Sequence, residues 1–127
     1  MKLLLISIDP ILSEIVEKAA KKNNFELIVI NEKTDPLDVL SSICSMHPNL
    51  VILDDDLLQP HAGNILKSVK KVNKKVAIIF VTSNDSIELG REISNLGVQF
   101  YGLKPLSENE LNDLLESIPN LVNKHIN

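Results

Sequence analysis

The sequence predicts an α/β domain: a doubly wound, five-stranded parallel sheet with helices on both faces, in three α/β/α layers. Two observations predict it. Five short aliphatic runs are apolar at nearly every position, which suits strands buried on both sides. Segments with apolar residues at helical spacing separate them, and strands alternating with amphipathic helices give a parallel sheet between two helical layers.

Leu3 to Ile8 is the first strand candidate. Residues 11–22 follow, with Ile11, Ile15, Val16, Ala19 and Ala20 at helical spacing and basic residues at the end. Phe25 to Ile30 is the second strand. Residues 36–46 read as a helix with Leu37, Leu40, Ile43 and Cys44 on the core face, and Pro36 stands in its first turn, where a missing N–H costs nothing. Leu50 to Leu53 is the third strand, and residues 62–72 carry Ile65, Leu66, Val69 and Val72 at helical period. Lys67, Lys70, Lys71, Lys74 and Lys75 read as a solvated helix face and turn. Val76 to Val81 is the fourth strand. Residues 84–96 form the next helix, with Ile87, Ile93 and Leu96 inward and Gly97 as its C-cap. Val98 to Gly102 is the fifth strand. Ser107 and Glu110 make a capping-box pattern ahead of Leu111, Leu114, Leu115 and Ile118, and Pro119 is expected to end or kink that helix.

The 127 residues read as one domain, 1–127, without repeats, low-complexity tracts or linkers. A net charge of −4 argues against nucleic acid or an anionic membrane as direct partner. Three Phe, one Tyr and no Trp leave no stacking surface for single strands. The single cysteine excludes an intrachain disulfide framework and makes the cytoplasm the simplest compartment. The first apolar run is too short for a signal peptide, and no run approaches the roughly 20 residues of a membrane span.

In a doubly wound sheet the functional crevice lies at the carboxyl ends of the strands. The first strand ends in Ser7-Ile8-Asp9-Pro10, the third in Asp54-Asp55-Asp56, the fourth in Thr82-Ser83-Asn84 and the fifth near Leu103-Lys104-Pro105. Together these supply carboxylates, a hydroxyl and an ammonium. An ionised aspartate is a weak nucleophile, but it can attack a phosphoryl donor when the transferring charge is neutralised. Lysine, a hydroxyl and carboxylate-held Mg²⁺ are the groups that do so.

These residues resemble response-regulator receiver domains of two-component signalling, which have a flavodoxin-like (βα)5 fold. Pro48-Asn49-Leu50-Val51-Ile52-Leu53-Asp54 is similar to their third strand, Val76 through Thr82-Ser83 to their fourth, and Gly97 through Leu106 to their fifth-strand segment. Lys2 to Pro10 is similar to the first, so the resemblance covers essentially the whole chain. It implies that Asp54 is the phospho-acceptor and that Thr82 and Lys104 contact the phosphoryl group. It further implies that Tyr101 is the switch aromatic, and that Pro105 is a structural residue of the type preceded by a cis bond. It implies Mg²⁺ as cofactor, with Asp9, Asp54 and Asp56 as the candidate metal residues. The implied partners are a histidine kinase or phosphotransfer protein and a downstream protein. The latter would meet the surface of the fourth helix, fifth strand and fifth helix, on a monomer or weak homodimer. Such a domain is not an enzyme beyond self-catalysed phosphoryl transfer and autodephosphorylation.

The chain departs from the family at two places. Ser7 and Ile8 stand where receivers carry an acid pair, which predicts weak Mg²⁺ binding. Pro60 and Gly63 lie later after Asp54 than their family counterparts, so this loop is one residue longer or differently turned. The first change favours a second reading, a pseudo-receiver whose interactions do not depend on phosphorylation. A third, a small-molecule binder on the same fold, lacks a phosphate loop after the first strand and the Asp-x-His-x-x-Gly pattern of cobalamin domains. Read without the family, Ser7 is a quiet strand-end residue, Asp55 and Asp56 are solvated loop acids, Cys44 is a helix core residue, and His47 and His125 are structural or solvent-facing.

Overall fold

The computed structural model describes residues 1–32 and 35–126, with side chains through Pro119. Five strands, β1 (Lys2–Ile6), β2 (Glu26–Ile30), β3 (Leu50–Asp54), β4 (Ala77–Thr82) and β5 (Phe100–Leu103), form one parallel sheet in the order β2-β1-β3-β4-β5. The helices are α1 (Pro10–Lys22), α2 (Pro36–Met46), α3 (Asp55–Leu58), α4 (Ala62–Val72), α5 (Ile87–Ser94) and α6 (Glu108–Ile126). The one-turn α3 follows Asp54 in the longer loop, so the fourth and fifth helices expected from sequence are α5 and α6. The chain leaves β1 for one edge and returns at β3 for the other. The switch in direction therefore lies between β1 and β3, where this fold opens its crevice.

Strand alternation divides the core. Leu3, Leu5, Leu50, Ile52, Ile79 and Val81 pack under α1 and α6, against Val16, Leu111 and Leu115. Leu4, Ile6, Val51, Leu53, Ile78 and Phe80 pack under α2, α4 and α5, against Val39, Leu66 and Ile93. Asp9 caps α1 by accepting from the Ile11 and Leu12 amides, Asp35 caps α2, and Ser86 caps α5.

Several expectations are corrected. Ser7 and Ile8 lie beyond β1, and Ile8 is exposed, because the chain turns there to deliver Asp9 to the cap of α1. Cys44 is exposed, since α2 turns Val39 and Ile43 inward and a neighbour of Ile43 points some 100° away. Leu37, Val72, Ile11 and Ile87 are likewise exposed, at the rims of their helical stripes. Lys70 is not wholly solvated: it donates to the Val76 carbonyl at 3.2 Å, and burial holds its pKa below the usual lysine value. Gly97 has φ +81° but lies beyond the Asn95 cap, closing the turn before β5. Helix α6 runs through Pro119, with Leu111, Leu115 and Ile118 anchoring its preceding turns to the core. His125 lies outside the described side chains.

Phe80 is the largest fully buried side chain and stacks on Tyr101, with ring centroids 5.6 Å apart. Phe80→Ala is expected to cost about 3–5 kcal/mol, measured by urea denaturation.

Candidate functional site

Register at the carboxyl ends of the strands determines which side chains meet. Ile6 pairs with Leu53, so the next residues along, Ser7 and Asp54, come level. Ser7 is fully buried and donates through Oγ to Asp54 Oδ2 at 2.6 Å, while accepting the Asp9 amide at 3.0 Å. Asp54 is 1% exposed. Its other oxygen, Oδ1, accepts the Asp56 amide at 3.0 Å and so caps α3. A buried carboxylate must be hydrogen-bonded and paired, and three donors from three segments meet that need.

The third donor is Lys104. Its Nζ lies 2.7 Å from Asp54 Oδ2, 3.0 Å from Asp9 Oδ2 and 3.0 Å from Asp56 Oδ2. Its backbone amide donates to the Thr82 carbonyl at 2.9 Å, and its bond to Pro105 is cis, as is the Gln59–Pro60 bond. Partial burial alone would lower the lysine's pKa, but hydrogen bonds to Asp54, Asp56 and Asp9 outweigh it and hold the ammonium more firmly protonated than usual. Burial acts upward on Asp9 and Asp56. Asp9 is nevertheless held below the usual carboxylate value by Lys104 and the Leu12 and Ile11 amides. Asp56 is held low by Ser83 and Lys104, with Ser83 Oγ–H at 2.6 Å and its amide at 3.1 Å. Three carboxylate oxygens around one point suit a hard cation such as Mg²⁺. Among the described residues, however, no group of His, Cys, Asp or Glu side chains is arranged as a metal site. The carboxylates are gathered on the ammonium.

Thr82 falls in a second cluster. Asp54 pairs with Val81, so Thr82 lies one step further on, level with Asp55. Thr82 is fully buried and donates to Asp55 Oδ2 at 2.9 Å, and its oxygen accepts the Asn84 amide at 3.0 Å. Asp55 is 5% exposed and also accepts from Gln59 Nε2 at 3.0 Å. Tyr101, half-buried, stacks on Phe80. Burial and the Asp55 charge raise its pKa. Its hydroxyl is buried without a partner among the described residues.

The structure thus brings Asp9, Asp54, Asp56 and Lys104 together, and places Thr82 on Asp55 rather than on Asp54. Ser7, Asp55 and Ser83 were missed. Ser7 is a direct partner of Asp54, and extending the β1–β3 register by one residue would have found it. Asp55 is not a solvated acid, because α3 folds it back under the Thr82 hydroxyl. Asp56 is partly exposed yet fully engaged, by Lys104 and Ser83.

A carboxylate whose pKa is depressed on folding contributes stability above its unfolded value and loses it as pH falls through the folded one. For Asp9 and Asp56 that loss lies below the ordinary value of 3.8. Stability measured by denaturation across pH should therefore fall on the acid side of 3.8, and Lys104→Met should make that limb shallower. Equal acid slopes in both proteins would contradict the pairing. At pH 7 Lys104→Met should cost about 3–5 kcal/mol, the usual price of leaving a buried charge unpaired.

The chain matches the family model described as the response regulator receiver domain over residues 3–116. It is 27% identical over 114 residues to the transcriptional regulatory protein CitB of Klebsiella pneumoniae, covering 89% of this chain and 48% of that protein. It is 25% identical over 87 residues to a protein-glutamate methylesterase/protein-glutamine glutaminase of Borreliella burgdorferi, covering 68% of this chain and 22% of that one. The chain therefore spans about half or less of these relatives' length. The fold is shared with the signal receiver domain of a LuxO repressor protein from Vibrio parahaemolyticus, at a TM-score of 0.83 and 18% identity, covering 98% of this chain and 93% of that one. No described helix is long and apolar enough to cross a membrane. The family match covers most of the chain, and the fold is shared; the chain belongs to the response regulator receiver domain family of two-component signalling.

Proposed function

We propose that this chain accepts a phosphoryl group on Asp54 from a phosphohistidine of a histidine kinase or phosphotransfer protein. It then signals by protein contact through the surface of α5, β5 and α6. The observation that carries this is the Lys104 ammonium 2.7 Å from Asp54 Oδ2, at the strand end where the switch in sheet order opens the crevice.

In the transfer, an Asp54 oxygen forms a bond to phosphorus as the phosphorus–nitrogen bond breaks, and the electron pair leaves on the imidazole. Lys104 meets the charge on the phosphoryl oxygens, which is most of what catalysis of this reaction requires. Ser7 fixes the carboxylate's orientation and the Asp56 amide holds its second oxygen. Mg²⁺, when bound, would neutralise the remaining phosphoryl charge. Asp9, Asp54 and Asp56 are the residues that would hold it, once Lys104 yields them. Tyr101 is the proposed switch residue; among the described residues its hydroxyl has no hydrogen bond to lose on leaving its present packing.

A second reading is a pseudo-receiver that binds partners regardless of phosphorylation. Ser7 favours it, since a neutral hydroxyl occupies the buried position beside Asp54.

Incubation with phosphoramidate and Mg²⁺ should add the mass of one phosphoryl group to the intact protein, labile to hydroxylamine and absent in Asp54→Asn. No adduct at millimolar Mg²⁺, with no NMR response to beryllofluoride, would favour the second reading.

A further inference from the structure

A threonine hydroxyl has one proton to donate. In this chain that proton is committed to Asp55 Oδ2 at 2.9 Å, and the Thr82 oxygen is held from behind by the Asn84 amide at 3.0 Å. Asp55 is nearly fully buried and forms no ion pair among the described residues; only Thr82 and the Gln59 amide group balance it. A buried carboxylate held by hydrogen bonds alone gives up one of two donors at considerable cost. Sheet geometry separates this pair from the other cluster. By alternation Thr82 follows Phe80 toward α5, whereas Asp54 follows Ile52 toward α1 and α6.

Resting on the reading of Asp54 as phospho-acceptor, we propose that Asp55 is a positioning residue. It latches Thr82 in a disengaged state and opposes any state in which Thr82 donates to a group on Asp54. Thr82 cannot serve both acceptors, so the two compete for one proton. Gln59 holds Asp55 in place for this, and α3 supplies the backbone that tucks the carboxylate under β4. The latch sets how much phosphoryl charge is needed before Thr82 changes partners.

The test is beryllofluoride binding in the presence of Mg²⁺, followed by NMR of Thr82 and Tyr101, in the full chain. Asp55→Ala should lower the half-saturating concentration about tenfold, and the near-isosteric Asp55→Asn should lower it by a smaller factor. In a Thr82→Ala background both effects should vanish. A gain that persists there is the general effect of removing a negative charge and overturns the latch. So does Asp54-dependent binding that is unchanged in both Asp55 variants. If Asp55→Ala does not fold, Asp55→Asn with and without Thr82→Ala decides by the same criteria. Absence of Asp54-dependent binding in every form overturns the phospho-acceptor reading and the latch with it.

Discussion

Three carboxylates that arrive from separate places in the chain share one cation. Asp9 comes from the turn into α1, Asp54 from the end of β3 and Asp56 from α3, and all three lie 2.7–3.0 Å from the Lys104 ammonium. Asp54 is the member that makes this necessary. Removing a carboxylate from water costs several kcal/mol, and attraction to a partner recovers it only when the geometry is good and the remaining lone pairs are satisfied. Ser7 and the Asp56 amide complete that satisfaction, and Asp9 and Asp56, partly exposed, share the lysine without being buried themselves. The carboxyl edge of the sheet is therefore held by charge rather than by packing. A newly arriving anion or cation has to redistribute that same set of contacts.

The division of the site follows from the sheet. Adjacent parallel strands in register bring Ser7 level with Asp54 and Thr82 level with Asp55, while alternation sends the two pairs to opposite faces. In the proposed phospho-acceptor scheme, transfer to Asp54 and the response near Tyr101 thus begin on different sides of one strand end. Thr82 is the residue placed to connect them, because it follows β4, which lies between β3 and β5.

Much of this was legible in the sequence. Uninterrupted aliphatic runs such as Leu50–Leu53 admit little but a strand covered on both sides, and the chemistry-bearing residues stood at the ends of those runs, where a doubly wound sheet must gather them. What was illegible depended on local backbone geometry. The turn at Ser7-Ile8 took those residues out of β1. The single turn of α3 buried Asp55, although three consecutive acids read most simply as a solvated loop. The inward face of α2 differed from the one expected by about one residue, enough to expose Cys44. Of the two outcomes expected at Pro119, an end or a kink, the end does not occur, since α6 continues to Ile126.

The most direct test is NMR observation of the Lys104 ammonium itself. The shared-cation arrangement predicts a slowly exchanging ammonium at neutral pH whose resonance shifts in Asp9→Asn and again in Asp56→Asn. An ammonium that exchanges with water as fast as the exposed lysines, and is indifferent to both substitutions, would contradict it.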